Sequence, residues 1–515
     1  MSDIKRPHLM LMHPPAVFNF RNLPLNHWLI SKGVDTAPVF EYYPVGFIAL
    51  LDYLEERGRT VRLANMAVKM QGRRFDPRRF VREHTPLLFG MDLHWCLHVD
   101  GSLSLAHLCK EEHPEVPVVL GGLTATYFWR EILETCPDVD MILRGHTTEE
   151  PMNQLLDMLE KGGDLATVPN LAWRTKDGEI VENDYSYKPT RLTTRINYQR
   201  LQQHVLRTRD LKGSLLTGQH WPVYCANLLL FCKGCVENCA ICGGSNWAQG
   251  LSETPLWDVE LLADACVAAR QLTKFPIRLP GDIRQGDWQG FLAALKKRGF
   301  TKAMHFDIFR PGDRAFYEAL ADAVPEVMGG IGPISHDEKL RAIYGLDYDN
   351  ATLEQSIADF LAVGGKVDLF FYVGIPFQTV ESARQTTDYA ISLLERFGVG
   401  PYKKRFDAYV AALAPFIDPG SLAFTYPEKY GYRFRARTLA EHRQLMLSPE
   451  WWDTINYESE TMSRFQMAQA SLEAELRLTQ ARARLGIIPG RTARKDYKRL
   501  SAELDRLRSS PLVGK

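Results

Sequence analysis

Alternation between strand-like and helix-like segments is the feature that most constrains the fold of the first 165 residues. Apolar runs typical of strands, such as "HLMLMHPP" and "VPVVLGG", alternate with segments of helical spacing, such as "VGFIALLDYLEERG". Strands that alternate with helices predict a parallel, doubly wound sheet. In such sheets ligands bind beyond the carboxyl ends of the strands. We therefore predict a site rimmed by residues 13–15, 92–95, 121–122 and 144–149.

A second series of strand-like and helix-like segments spans residues 216–420. Its strand-like runs include "KAMHFDIF" and "KVDLFFYVGIP". This number of βα units predicts a partial or full barrel of TIM type, with active-site loops at the carboxyl ends of its strands. Residues 166–215 are mixed and polar and are predicted to connect the two units, and residues 421–515 turn aromatic and then helical. We expect an α/β protein with a Rossmann-like N-terminal domain at 1–165, a barrel and a mostly helical C-terminal cap.

The charge balance and the lack of long apolar runs restrict the expected partners. Lys plus Arg equals Asp plus Glu at 62 each among 515 residues, so the formal net charge is zero and nucleic acid is not an expected partner. No stretch approaches the roughly 20 apolar residues of a membrane span, and the N-terminus lacks the pattern of a signal peptide. The sequence therefore predicts a cytoplasmic protein without stable membrane insertion.

Cysteines are crowded in "FCKGCVENCAICGGS", which holds four of the nine in the chain. Cys235, Cys239 and Cys242 form the pattern C-x3-C-x2-C, and Cys232 precedes them. A structural zinc site needs four ligands, usually in two C-x2-C pairs, and the three residues between the pairs here make a cramped loop. A disulfide cluster is unusual in the cytosol. The third interpretation is an iron–sulfur cluster held by thiolates.

Three close cysteines would leave one iron of a [4Fe–4S] cluster without a protein ligand, and an open metal position can bind substrate. The motif, placed after a predicted strand, resembles the signature of the radical S-adenosylmethionine (SAM) enzymes. The resemblance implies that Cys235, Cys239 and Cys242 hold a catalytic [4Fe–4S] cluster whose open iron chelates SAM. One electron then cleaves SAM to methionine and a 5′-deoxyadenosyl radical. Ile241 departs from the family pattern, in which an aromatic residue often precedes the third cysteine. Cys232 is interpreted as a buried thiol beside the loop, with an extra-ligand or redox role as the alternative.

Three further stretches resemble the SAM-binding loops of that family. "RLPGD" places Gly281 and Asp282 where the family has a glycine-rich, acid-ended motif that holds the amino group of SAM, although Gly-Asp is also a common turn. "GGIGPISHDEKLR" places Ser335 where a polar side chain reaches SAM. "FFYVGIPFQTVESA" matches the strand and loop that pass the adenine, which implies that Gly374 and Ile375 lie near it.

The N-terminal segment resembles the cobalamin-binding domain that precedes many radical SAM barrels. A cobalamin needs a broad crevice at strand ends and glycines where its nucleotide tail passes close to backbone. Gly121 and Gly122 suit that role, and an ordinary strand-to-helix turn is the alternative. With the later stretches "PFIDPGS" and "PEKYGY", nearly the whole chain resembles one family of cobalamin-binding-domain radical SAM proteins. The stretches of the first domain that carry the resemblance are "HPP", "YPVGFIALLDYLEERG", "VVLGG" and "MILRGHTTEE".

The D-x-H-x-x-G loop, whose histidine coordinates cobalt from below in other cobalamin proteins, is absent after the first strand. "HPPAVF" stands there, and "DLH" follows the third strand without the glycine. We therefore expect no protein ligand to cobalt from that motif. His13, Asp92 and His94 are candidate neighbours of the corrin, and a domain that keeps the fold without binding cobalamin is the alternative.

The resemblance implies a cobalamin-dependent radical SAM enzyme that methylates an unactivated carbon of a small-molecule substrate. A second SAM would remethylate the cobalt, and the cofactors would carry the difficult chemistry. One alternative keeps the radical but leads to cyclisation, ring rearrangement or carbon–carbon bond formation without methyl transfer. Another is a non-enzymatic cobalamin or iron–sulfur sensor. The first two interpretations require an electron donor such as a flavodoxin or a ferredoxin.

The C-terminal segment is predicted to cap the barrel. Trp451, Trp452 and Tyr457 are interpreted as packing of this cap, and lining of an apolar substrate pocket is the alternative. The basic stretch "RTARKDYKR" is interpreted as a solvated helix face. A weak membrane association through it is the alternative.

Overall fold

The computed structural model describes residues 6–27, 29–31, 34–35, 38–39, 44–214, 227–272, 275–412 and 416–510. Its strands are numbered in chain order. They are β1 (Leu9–His13), β2 (Leu29–Ser31), β3 (Val34–Asp35), β4 (Val61–Asn65), β5 (Leu88–Asp92), β6 (Val118–Gly121), β7 (Met141–Leu143), β8 (Leu171–Arg174), β9 (Ile180–Glu182), β10 (Arg191–Leu192), β11 (Asn227–Leu228), β12 (Leu256–Trp257), β13 (Ile277–Leu279), β14 (Ala303–Ile308), β15 (Glu326–Ile334), β16 (Lys366–Val373), β17 (Phe406–Ala412), β18 (Tyr432–Phe434) and β19 (Tyr457–Ser459).

The first domain is built on a parallel sheet whose strands lie in the order β4-β1-β5-β6-β7. Every residue of β1, β4 and β5 is buried, because helices cover both faces of the sheet. The doubly wound sheet predicted from the sequence is confirmed. The helices of this domain are Gly46–Glu56, Met66–Gln71, Pro77–Arg82, Val99–Glu112, Leu123–Tyr127, Trp129–Thr135 and Glu149–Lys161.

The segment predicted as a connector contributes to this sheet. β8 pairs antiparallel with β7, and β9 pairs antiparallel with β8. The turn between them contains Asp177 and Gly178, and Gly178 has a φ of +87°. An Asp-Gly pair between two short apolar runs is a hairpin signal that the polar composition of this segment obscured. The segment continues with helices Tyr198–Thr208 and Leu211–Ser214.

The second domain is an open, partial barrel. The six strands that the structure describes in this sheet are all parallel and lie in chain order, β11-β13-β14-β15-β16-β17. Side chains along β14 and β16 alternate between buried and partly buried, so one face packs against the helices and the other lines the barrel interior. The helices of this domain are Asn246–Gln249, Val259–Leu272, Trp288–Lys297, Arg314–Ala323, Glu338–Tyr344, Asn350–Ala362 and Val380–Phe397.

The C-terminal region is mostly helical, as predicted, and also contains the β18–β19 ribbon. Trp451 and Trp452 are fully buried, and the indole Nε1 of Trp451 donates a hydrogen bond to Glu503 Oε1 at 2.7 Å, so packing of the cap is the role that the structure gives them. The basic stretch at 491–499 is mostly exposed on the last helix. The helices are Leu422–Thr425, Leu439–Met446, Arg464–Arg484 and Gly490–Arg508.

A long side chain fastens this cap to the last barrel strand. Arg482 is almost fully buried, and its guanidinium donates to Asp407 Oδ1 at 2.8 Å, to Glu475 Oε1 at 2.9 Å and to the carbonyl oxygen of Ala408 at 2.6 Å.

Among the described ranges, no helix combines the length and apolar character that crossing a bilayer would need.

Candidate functional site

The crowded cysteines lie on a loop that follows β11, the first strand of the barrel, at its carboxyl end. The loop folds on itself through two backbone hydrogen bonds, from Asn246 N to Cys235 O (2.9 Å) and from Cys242 N to Cys239 O (3.0 Å). Asn238, at the tip, has a φ of +48°, a conformation that asparagine tolerates better than most residues. Cys235, Cys239 and Cys242 are partly buried and are not in disulfides. The loop therefore presents three free thiols from one short segment.

Backbone contacts with two other parts of the chain hold this cysteine loop (residues 232–245). Ala240 N donates to Tyr344 O (2.9 Å), at the end of the helix that follows β15. Ala240 O accepts from Ala423 N (2.7 Å) in the C-terminal region, and Gly243 N donates to Asp418 Oδ2 (2.9 Å). The loop is thus fixed to both the barrel and the cap.

The thiols are close enough to influence one another. Burial raises the pKa of Cys235 to about 11. Burial and the neighbouring Cys235 raise the pKa of Cys239 to about 12. Burial, Asp418 and Cys239 raise that of Cys242. These thiols are therefore protonated at neutral pH unless a metal displaces the protons.

Cys232 is separate from the other three cysteines. It is buried, forms an isolated antiparallel bridge with Leu256, and its Sγ lies 2.9 Å from the position that a Cβ on Gly281 would occupy. The buried thiol predicted from the sequence is confirmed. Over the described ranges, no three His, Cys, Asp or Glu side chains converge on a point that could hold a single metal ion.

Gly281 and Asp282 lie beside the cysteine loop, after β13. Gly281 has a φ of +92°, and Cys232 leaves no room for a side chain there. The Asp282 carboxylate is fully engaged by protein groups: it accepts bonds from the backbone and guanidinium of Arg284, at 2.5–3.0 Å, and from Phe309 N at 2.9 Å. The carboxylate of Asp282 therefore shapes the loop.

Ser335, Gly374 and Ile375 lie at the carboxyl ends of β15 and β16. The buried Ser335 hydroxyl accepts a hydrogen bond from Asp337 N at 3.1 Å. Gly374 has a φ of +94°, and its carbonyl oxygen accepts from Tyr432 at 2.9 Å. Ile375 belongs to a small apolar cluster against which Cys239 packs. The structure therefore brings these three residues to the same end of the barrel as the cysteine loop.

The predicted rim of the first domain also comes together at the carboxyl ends of its strands. His13 is fully buried, and its Nδ1 lies 2.9 Å from Asp92 Oδ1. Burial alone would raise the pKa of Asp92, but attraction to His13 and the hydrogen bond with it outweigh burial and lower this pKa. Gly122 has a φ of +110° and lies against the backbone of His94, where a Cβ would be 2.7 Å from two atoms. His13 lies beneath this edge, and His94 is partly exposed on it.

Lys233 connects the two edges. It follows Cys232 in the cysteine loop, and its Nζ lies 3.6 Å from Glu149 Oε1 at the start of a helix of the first domain. Burial lowers the pKa values of His94 and His146 to about 4, and the positive charge of Lys233 contributes to both shifts. The carboxyl edge of the first sheet therefore faces the cysteine loop across a short distance.

Comparison with known proteins explains this arrangement. Residues 32–153 match the family model of the B12 binding domain. TsrM, a radical SAM methyltransferase from Kitasatospora setae solved with tryptophan and a SAM analogue, has a TM-score of 0.58 and 13% identity over 83% of this chain and 79% of its own. OxsB, a cobalamin-dependent SAM radical enzyme, has a TM-score of 0.61 and 12% identity over 98% of this chain and 72% of its own. The chain has the fold of cobalamin-dependent radical SAM enzymes.

Curated relatives share shorter segments. An anaerobic magnesium-protoporphyrin IX monomethyl ester cyclase from Synechocystis sp. is 29% identical over 147 residues, which are 28% of this chain and 27% of the cyclase. The corresponding cyclase of Rubrivivax gelatinosus is 31% identical over 77 residues, 14% of each chain. The matched segments therefore span less than a third of either relative.

Two residues of this cobalamin-dependent radical SAM fold were not singled out from the sequence. Lys233 stands inside the crowded cysteine segment, and a cation between Cys232 and Cys235 was the available signal. Asp418 lies in "PFIDPGS", a stretch that contributed to the family resemblance. No role was predicted from the sequence for its carboxylate. Burial raises the pKa of Asp418 to about 6, opposed by the bond from Gly243 N.

Proposed function

We propose that this protein is a cobalamin-dependent radical SAM enzyme. The observation that carries the proposal is the position of the C-x3-C-x2-C loop, at the carboxyl end of a parallel barrel and opposite the carboxyl edge of a B12-binding sheet. The contact between Lys233 and Glu149 spans these two edges. Two cofactors held there would share one reaction space.

The cysteine loop fits a [4Fe–4S] cluster with one open iron. Each cysteine of such a cluster ligates a different iron, so the thiols need not converge on one point. Cys235, Cys239 and Cys242 are close enough to raise one another's pKa values, and Glu237 N lies 3.4 Å from Cys235 Sγ, where it can donate a hydrogen bond to the sulfur. With SAM bound, the cluster would supply the electron that splits SAM into methionine and a 5′-deoxyadenosyl radical.

The loops around the cysteines would hold SAM. The backbone at 281–282 offers carbonyl oxygens for the amino group of SAM, since the Asp282 carboxylate is occupied by Arg284. Gly374 packs against Tyr457 and Met467, and Ile375 is fully buried, so these two residues would shape the end of the strand that passes the adenine. Ser335 uses its hydroxyl to cap the turn after β15, so its part in SAM binding would be to set the shape of that loop.

The first domain fits a cobalamin whose cobalt has no protein ligand from below. At Gly121 a Cβ would meet only Leu143 O, at 3.5 Å, so the nucleotide tail would pass close to backbone there, whereas Gly122 is required by its contact with the His94 backbone. His13 is buried and held by Asp92, so it stabilises the edge, and the partly exposed His94 would contact the corrin. When bound, cobalamin would supply a methyl group or serve as an electron carrier.

We further propose methylation of an unactivated carbon of a small molecule as the overall reaction. Its support is the structural likeness to TsrM, a methyltransferase, over 83% of this chain. A second candidate is radical cyclisation without methyl transfer. The observation that favours it is the sequence likeness to the anaerobic cyclases.

The test is anaerobic reconstitution with iron, sulfide and hydroxocobalamin, followed by desalting, metal analysis and a visible spectrum. We expect about four irons per chain and a retained corrin band. The Cys235→Ala, Cys239→Ala and Cys242→Ala variants should each lose most of the iron, while Cys232→Ala, the matched control, should keep it. Iron retained by all four variants would contradict the cluster assignment. Transfer of labelled methyl from SAM to a product would separate methylation from cyclisation.

A further inference from the structure

An exposed aromatic surface borders the cysteine loop. Ten large apolar side chains are exposed in the described part of the chain, and four of them lie around this loop. They come from three separate parts of the chain: a helix of the first domain, the cysteine loop with the helix after it, and the C-terminal region. They are Val236 (53% exposed), Tyr426 (51%), Tyr127 (45%) and Trp247 (40%).

Short contacts show that these side chains share one surface. The ring centroids of Trp247 and Tyr426 are 6.0 Å apart. Trp247 N donates to Asn238 Oδ1, and Asn238 Nδ2 donates to Val236 O, both at 3.0 Å. A Cβ on Gly420 would lie 3.1 Å from the Tyr127 ring and 3.8 Å from Ala248 O, so Tyr127 lies beside the helix that carries Trp247. We call these four side chains the aromatic patch.

The aromatic patch borders the loop that carries the proposed cluster ligands. Val236 follows Cys235 directly in the loop, so one residue of the aromatic patch is adjacent in sequence to a proposed cluster ligand. Exposed aromatic side chains at a surface are typical of protein-binding sites. A protein that docks here would bring a redox group close to the cluster.

Cations border the aromatic patch. Lys188 Nζ lies 3.4 Å from Gly250 O, at the end of the helix that carries Trp247. Lys429 N bonds to Tyr426 O, and the Arg437 guanidinium lies 4.4 Å from the ring of Phe424, which contacts Tyr127. Within the described ranges, the side chains of Lys188, Lys429 and Arg437 form no ion pair.

We propose that the aromatic patch is the docking surface for an acidic flavodoxin-type electron donor. The cations would attract the acidic rim of the donor, and the aromatic side chains would pack against the apolar edge of its flavin. One electron would pass from the anionic flavin hydroquinone, which becomes the neutral semiquinone, to the oxidised cluster, which becomes singly reduced. No proton moves in this step. The inference rests on the proposed function, because it requires the cluster.

The test compares two reductants on the reconstituted full chain. Cluster reduction is followed by the loss of visible absorbance and by the electron paramagnetic resonance signal of the reduced cluster, with photoreduced flavodoxin or with dithionite. The Trp247→Ser/Tyr426→Ser double variant should be reduced by flavodoxin about tenfold more slowly, and by dithionite at the unchanged rate. Tyr497→Ser, an exposed tyrosine on the last helix, is the matched control and should change neither rate.

Lys188 and Lys429 provide an independent test of the same proposal. Lys188→Glu/Lys429→Glu should slow flavodoxin-driven reduction about tenfold at low salt and reduce its dependence on ionic strength. Equal slowing with both reductants, or slowing with neither, would overturn the proposal. A loss confined to a ferredoxin tested in parallel would also overturn it, because the donor class would be wrong. If dithionite reduces no cluster even in the parent chain, the proposed function itself fails, and the dithionite arm identifies that outcome.

Discussion

Gly281 provides a direct test of how the cysteine loop and the neighbouring loop are packed. Its φ of +92° disfavours a side chain, and a Cβ at this position would lie 2.9 Å from Cys232 Sγ. Gly281→Ala therefore carries two penalties. The backbone conformation costs about 1–2 kcal/mol, and the overlap with sulfur costs about 1–3 kcal/mol. Removing the sulfur by Cys232→Ala should relieve only the second.

The assay is a double-mutant cycle on the protein without cofactors, with thermal unfolding followed by far-ultraviolet circular dichroism. The two substitutions should couple by about 1–3 kcal/mol. For a unit of about 200 residues this corresponds to roughly 2–4 °C in the midpoint for each kcal/mol. Gly281→Ala should therefore lower the midpoint clearly less in the Cys232→Ala background than in the parent chain.

Equal effects of Gly281→Ala in the two backgrounds would refute this reasoning. The sulfur would then not be the obstacle, and the backbone conformation alone would require glycine. Iron content measured after reconstitution adds a functional readout. If Cys232 is only a packing group, the Cys232→Ala single variant should keep the iron of the parent chain.

Two further predictions concern buried polar side chains of the C-terminal region. Burial lowers the pKa of His442 to about 4, and the neutral ring is matched to its partners because its Nδ1 lies 2.7 Å from Thr438 O and its Nε2 lies 3.0 Å from Asn456 Nδ2. The pKa of histidine in the unfolded chain is about 6.5. Protonation of His442 therefore leaves the free energy of unfolding unchanged above pH 6.5 and lowers it by about 1.4 kcal/mol for each pH unit from pH 6.5 down to about pH 4. The unfolding midpoint of His442→Gln should depend less on pH between 7 and 5 than that of the parent, and equal slopes would contradict the assignment. Arg482→Met would leave Asp407 and Glu475 without their buried cation, so it should cost about 3–5 kcal/mol. If thermal unfolding shows that Arg482→Met loses no more stability than Arg482→Lys, the result would argue against a stabilising role for this network.

Much of the fold could be predicted from local sequence patterns. The strands β1 and β5 are buried on both faces, and their sequences are apolar runs that end at His13 and Asp92. The alternating pattern of β16 reflects one face against helices and one face in the barrel interior. The apolar runs and the alternating pattern both depend on residues that are close together in the chain, so they can be recognised from one sequence.

The site was predictable only where it is local in sequence. Cys235, Cys239 and Cys242 fall within eight residues, so their spacing alone led to the prediction of a cluster. Lys233 and Glu149 are far apart in the chain, and only the packing of the two domains brings them within 3.6 Å. Asp282 was assigned to SAM from its motif, whereas the structure places its carboxylate on Arg284, a partner two residues away that the motif does not encode.

The cysteine loop is held from three directions. Ala240 bonds to Tyr344 in the barrel and to Ala423 in the cap, while Lys233 faces Glu149 of the B12-binding domain. Backbone hydrogen bonds therefore tie the loop to the barrel and to the cap. The contact with the first domain is an ion pair that is largely buried, because the side chain of Lys233 is 14% exposed and that of Glu149 is 3% exposed. Removing one partner of a buried ion pair leaves the other charge uncompensated, so this contact depends on both side chains.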